Sequence, residues 1–185
     1  MRISLIFVLT VMLFFFALLF PGYGMKKDVD EVEDIDEGTE IPDYILHDVI
    51  HFHYEEGSLK VKVNFEKGNY YNDQGELRVE NCQFVYYDID NDVVSRGSSD
   101  RAKLYSDDSK LVAEENVVVI SEENKGKLET EYLEWHGNDN QFTSDRFVKI
   151  TQENGDTISG VGLIADVGLK RVTIKKDVKG SFKEK

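Results

Sequence analysis

The chain has one cysteine, two prolines and one tryptophan in 185 residues, and each scarcity closes off a class of protein. A lone thiol, Cys82, allows no disulfide framework, and it lies far beyond the N-terminal apolar run, so no cysteine follows that run to carry a lipid. Pro21 and Pro42 both precede residue 44, so no proline interrupts strands in the rest of the chain. Bases are also short, with 22 Lys and Arg against 36 Asp and Glu, a net charge of −14 that argues against nucleic acid as a partner. Past residue 43 no helical periodicity lasts more than a turn or two.

Catalytic signatures are equally sparse. There is no nucleophile elbow, phosphate-cradling glycine loop or metalloprotease histidine pair. The carboxylate pairs Glu114 with Glu115 and Glu122 with Glu123 fall at strand ends or turns, where neither member gains the apolar pocket that general-acid chemistry requires. Regular alternation places His47, His51 and His53 on one strand face, opposite Leu46, Ile50 and Phe52, but three ligands along one strand are too spread to converge on an ion. Asp88, Asp90 and Asp92 begin like a calcium loop, yet Val93 and Ser99 occupy the positions that need glycine and glutamate, so a hairpin turn is the better reading. No enzyme activity, cofactor or metal is expected.

The residues that are present divide into three parts. Ile3 to Phe20 is 18 residues without a charge, about 27 Å as a helix and close to a bilayer core. A cleavable signal competes for this run, but Phe20, Pro21 and Tyr23 make a poor cleavage site around Gly22 and Gly24, so a retained anchor over 1–24 is expected. Residues 25–43 follow as a tether; between Asp28 and Asp43 stand nine acids and no base, which repel one another and keep the chain extended. A spacer that lifts a domain off an anionic membrane surface is the plain account of it, with an acidic docking tail as the alternative.

From 44 to 185 the sequence reads as short antiparallel strands. Leu59, Val61, Val63 and Phe65 alternate with Lys60, Lys62, Asn64 and Glu66; Leu77 and Val79 alternate with Arg78 and Glu80; Leu128, Thr130 and Tyr132 alternate with Lys127, Glu129 and Glu131. Turn clusters such as Asn72-Asp73-Gln74-Gly75, Asn124-Lys125-Gly126 and Asn154-Gly155 punctuate them at hairpin spacing. The pattern repeats: Leu111 to Trp135 recurs in Gln141 to Asp166 after about 31 residues, with Glu114 answering Asp145, Leu128 answering Ile158 and Leu133 answering Leu163, and a looser copy lies upstream around Leu77. An all-β fold of repeated hairpins follows, able to close as a barrel, stack as two sheets or stay open. Its last strand, around Val172, Thr173 and Ile174, has nothing downstream to cover it. Its lysines either guard a bare edge or flank one meant to pair with another protein.

In order and spacing, the chain resembles the LptC family, the membrane-anchored periplasmic component of the lipopolysaccharide export ABC transporter. The likeness runs from the anchor through Glu56-Gly57-Ser58-Leu59 and Tyr70-Tyr71-Asn72-Asp73. It continues through Asp100-Arg101-Ala102-Lys103-Leu104, the strand pair Leu111 to Ile120, Phe142-Thr143-Ser144 and the closing Ile158-Ser159-Gly160-Val161-Gly162-Leu163. The family has a glycine just before the Asn-Val or His-Val of the middle repeat; here that place is Glu115. The resemblance implies a twisted, partly open β-jellyroll with one N-terminal transmembrane helix, held in the inner membrane with its β domain in the periplasm. It implies a lipopolysaccharide or related glycolipid between the sheets, a permease and an ATPase as partners, and a soluble bridge protein of the same fold at the C-terminal edge. The inward set would then face lipid: Leu59, Val61, Val63, Phe65, Leu77 and Val79, with Val117, Val119, Leu128, Thr130, Phe142 and Ser144, whose smaller members leave room for acyl chains. The alternatives are a soluble bridge protein of the same fold, or a tethered β scaffold packed shut.

Overall fold

A computed structural model describes residues 40–105, 110–137 and 139–183. The expected anchor and all but the last residues of the expected tether lie outside the described residues. Among those described, no helix is long and apolar enough to cross a membrane.

Nine strands form one antiparallel sheet whose spatial order is the chain order: β1 (Tyr44–Glu55), β2 (Ser58–Tyr71), β3 (Glu76–Tyr87), β4 (Val93–Tyr105), β5 (Lys110–Ser121), β6 (Lys127–His136), β7 (Gln141–Thr151), β8 (Thr157–Asp166) and β9 (Val172–Ser181). Local chemistry sets the hairpins. Glu56 and Gly57 both take positive φ, 49° and 82°, the geometry of a two-residue turn whose twist matches its strands. Asp88 accepts from the Asp90 and Asp92 amides at 2.9 Å each, so the acidic run that starts like a calcium loop spends its first carboxylate on its own turn. Asp166 likewise gathers the amides of Gly168, Lys170 and Arg171 at 3.0, 3.2 and 2.5 Å, fixing the β8–β9 connection.

The sheet rolls onto itself, because strands that share no ladder still touch. His53 on β1 meets Trp135 on β6 with ring centroids 5.7 Å apart, Phe84 on β3 meets Phe142 on β7 at 6.4 Å, and the Tyr86 hydroxyl donates to Asn140 Oδ1 at 2.5 Å. Breaks in register across the middle of the sheet make the roll possible, between Ser98 and Arg101, Glu114 and Val117, Thr130 and Glu134, and Ser144 and Phe147. A bulge adds twist and bends its strand, and here a row of them bends the whole sheet. The architecture is therefore all-β, antiparallel, open and jellyroll-like.

The bulges also reverse which residues face inward. On β2 Phe65 and Gly68 are both buried, and on β3 Val79 and Cys82 are, so strict alternation holds only on either side of the bend. On β1 the bend falls at Asp48, with φ 51°. It corrects the expected histidine face: Val49, His51 and His53 pair with the buried Phe65, Val63 and Val61 and share their side, while Ile50 and Phe52 pair with Asn64 and Lys62 and are exposed. His47 is thereby separated from the other two. At the position where a glycine was expected, Glu115 itself adopts φ 64° and Asn116 φ 48°. An ion pair from Arg101 to Glu115 and a 2.6 Å hydrogen bond from Asn116 Nδ2 to Asp100 Oδ2 hold this strained pair.

Candidate functional site

The inward faces of the rolled sheet form one apolar core. It contains Val61, Val63, Phe65, Val79, Val117, Val119, Leu128 and Phe142, all buried, with Leu77 packed against it. Leu59, at the start of β2, is half-buried. Burying a side chain of this size contributes about 1.5–3 kcal/mol, so these residues close much of the space between the layers upon one another. Phe84 shows how tightly: a Cβ added at Gly97 would lie 2.1 Å from its ring, so glycine on β4 is the notch that admits the ring.

Thr130 and Ser144 are buried too, and both hydroxyls are engaged. Thr130 Oγ1 donates to the Phe147 carbonyl at 2.8 Å and Ser144 Oγ to the Tyr132 carbonyl at 2.7 Å. These carbonyls lie where the β6–β7 ladder breaks, and a backbone acceptor left unpaired indoors is costly. The two small side chains therefore secure the bend. Cys82 lies in the same core, where burial pushes its thiol from 9.0 up to about 12, leaving almost no thiolate at neutral pH.

Open space appears at one end of the roll, beneath β9. A groove of about 700 Å³ has an apolar lining of Ile150, Ile158, Leu169, Val172, Ile174 and Val178, with Asn124, Gln152, Asn154 and Lys170 among the polar groups around it. That volume is in the range of small-molecule sites, about 300–1,000 Å³. Asn124 braces the groove by donating from Nδ2 to the Leu169 carbonyl at 3.2 Å, and Lys170, one of its lining residues, pairs with Glu123. Ile150, Ile158, Leu169 and Val178 are not among the residues the sequence led us to expect facing lipid. The available signal was the repeat itself, which equates Ile158 with the inward Leu128.

The sheet has two free edges, β1 and β9, each paired on one side only. At β9 the register decides which backbone groups are free. The Asp166 amide donates to the Arg171 carbonyl at 3.2 Å, so that facing pair is hydrogen-bonded, and antiparallel ladders alternate. The next hydrogen-bonded pair is Ile164 with Thr173, whereas Ala165 with Val172 and Leu163 with Ile174 are not bonded across the ladder. Val172 and Ile174 therefore turn their N–H and C=O groups to the open edge while their side chains enter the groove. Thr173 turns its backbone groups to β8. One stretch of strand thus joins an apolar groove to an unsatisfied edge.

Comparisons with known proteins agree with this geometry. The family described as lipopolysaccharide-assembly, LptC-related matches residues 9–183. No curated protein matches the chain. Among solved structures, it is similar to LptH of Pseudomonas aeruginosa, the LptA-homologous periplasmic component of a lipopolysaccharide transport device, with a TM-score of 0.54, 10% identity, 67% of this chain covered and 95% of that one. At that identity the likeness concerns the fold.

Proposed function

Because the chain belongs to the LptC-related lipopolysaccharide-assembly family, we propose that it is the membrane-held component of a lipopolysaccharide export ABC transporter, which takes lipid at the inner membrane and passes it to a soluble periplasmic bridge protein. The observation that carries this reading is the groove under β9, lined on one side by isoleucine, leucine and valine side chains and bordered by an unpaired edge. Each CH₂ left in water costs about 0.8 kcal/mol, so a lipid with several acyl chains crossing an aqueous compartment uncovered would cost tens of kcal/mol. A rolled sheet with an apolar inner face covers those chains, and strand addition at its free edge continues the same inner face into the next protein. Ile3 to Phe20 is the transmembrane anchor, residues 25–43 the tether, and the permease and ATPase are its inner-membrane partners. This chain binds and hands on; ATP hydrolysis by the transporter supplies the energy.

The groove is tested by Ile158→Asp, which places a carboxylate against the acyl path, beside Ile164→Asp on the outer face. The first variant should lose lipopolysaccharide binding while keeping its fold by circular dichroism, and the second should keep both. Equal binding by both variants would refute the groove as the lipid site. The anchor is tested separately: membranes washed with alkaline carbonate should retain the full-length chain, and a soluble form beginning near Met25 would instead fit the bridge protein.

A further inference from the structure

The two free edges of the sheet are oppositely charged. β1 carries two acids, Asp48 and Glu55, and no lysine or arginine. β9 and the connection before it, Val167 to Ser181, carry five bases against one acid, Asp177. Lys170 is satisfied by Glu123, and Arg171 lies 3.9 Å from Asp166. Lys175, Lys176 and Lys179 are exposed on β9 and pair with no carboxylate among the described residues. In a chain of net charge −14, three unpaired lysines along one edge require a reason.

Edge lysines commonly repel stray strands, but two features argue otherwise here. The outward backbone groups at Val172 and Ile174 precede the unpaired lysines and are not interrupted by a charge. The other edge, β1, carries no lysine at all, so lysine is not how this protein guards an edge. We propose that β9 selects a partner strand that is acidic and free of bases, with its backbone bonded to Val172 and Ile174 and its carboxylates facing Lys175, Lys176 and Lys179. This rests on the reading of β9 as the docking edge and specifies the chemistry of what docks. A same-fold protein whose first strand resembles this chain's β1 in charge meets the requirement. Opposite charges at the two ends of the sheet make end-to-end joining directional, because β9 against β9 sets lysines against lysines.

The experiment uses the full-length chain in detergent micelles and two fluorescent peptides of about ten residues, about 33 Å when extended. Both alternate valine with a charged residue, glutamate in one and lysine in the other. The acidic peptide should bind about tenfold more tightly, as three exposed ion pairs worth twofold to threefold each would give. The preference should vanish at about 1 M salt, where the Debye length is about 3 Å, and in the variant combining Lys175→Gln, Lys176→Gln and Lys179→Gln. If both peptides bind equally and Ile174→Pro abolishes both, the edge docks without regard to charge and this proposal is overturned alone. If neither binds, the docking reading fails with it.

Discussion

Replacing Ile174 by proline tests strand addition at β9 at a position the register selects. The Ile174 amide faces the open edge, so proline removes no hydrogen bond within the sheet. Its side chain lines the groove, and truncating it weakens packing whatever residue follows; Ile174→Ala is therefore the matched reference, sharing that loss while keeping the N–H. The difference between the two variants is one intermolecular donor and the partner carbonyl left without it. A buried acceptor deprived of its donor costs about 1–3 kcal/mol, so the proline variant should bind the bridge protein about 2 kcal/mol more weakly than the alanine variant, some thirtyfold in Kd. Titration of the bridge protein onto each immobilised variant measures this, with circular dichroism to show that both keep their sheet content. Thr173→Pro should behave differently, since it removes a bond to β8 and destabilises the chain itself. If the folded Ile174→Pro variant binds as tightly as Ile174→Ala, strand addition at this edge is wrong.

Three further outcomes follow from the core and the bend. Gly97→Ala drives a methyl into the Phe84 ring and should lower stability by about 1–3 kcal/mol in chemical denaturation; unchanged stability would show that the ring has somewhere else to go. Glu115→Val places a β-branched residue at φ 64° and removes the pair to Arg101, and should cost about 2 kcal/mol, whereas Glu115→Gly should be nearly neutral. Cys82 should resist maleimide at pH 8 in the native state and react once unfolded. Because its folded value is raised from 9.0 to about 12, its contribution to stability is complete below about pH 9 and declines as pH rises towards 12, where the unfolded chain gains from ionising first.

Much of the sheet can be read from residues in succession. Lys60 to Phe65 alternate cleanly because β2 is straight there, and Asn124, Asn154 and Asp88 mark turns whose side chains close on nearby amides. The bend is much harder to read, because one inserted residue reverses inside and outside with no change in composition. Val79 and Cys82 face inward together for that reason, and Asp48 separates His47 from His51 by the same device. Thr130 and Ser144 read as small residues that leave space, whereas the breaks they sit beside give their hydroxyls backbone carbonyls to satisfy. The groove is hard to read as well, because its apolar lining comes from β7, β8, the β8–β9 connection and β9, which only the roll brings together. Which backbone groups face the open edge depends on ladder register, and a single sequence does not carry that information.

The central claim, that lipid travels along the inner face of the roll, is tested most directly by two isoleucines of equal exposure on opposite faces. Ile158, 38% exposed, lines the groove, and Ile164, 39% exposed, pairs with Thr173 on the outside. A benzophenone amino acid at each position in turn, irradiated in membranes actively exporting lipopolysaccharide with ATP, offers lipid the same accessibility and differs only in face. The account predicts a lipopolysaccharide adduct at position 158, dependent on ATP, and none at 164. Equal capture at both positions, or capture at 164 alone, would contradict it.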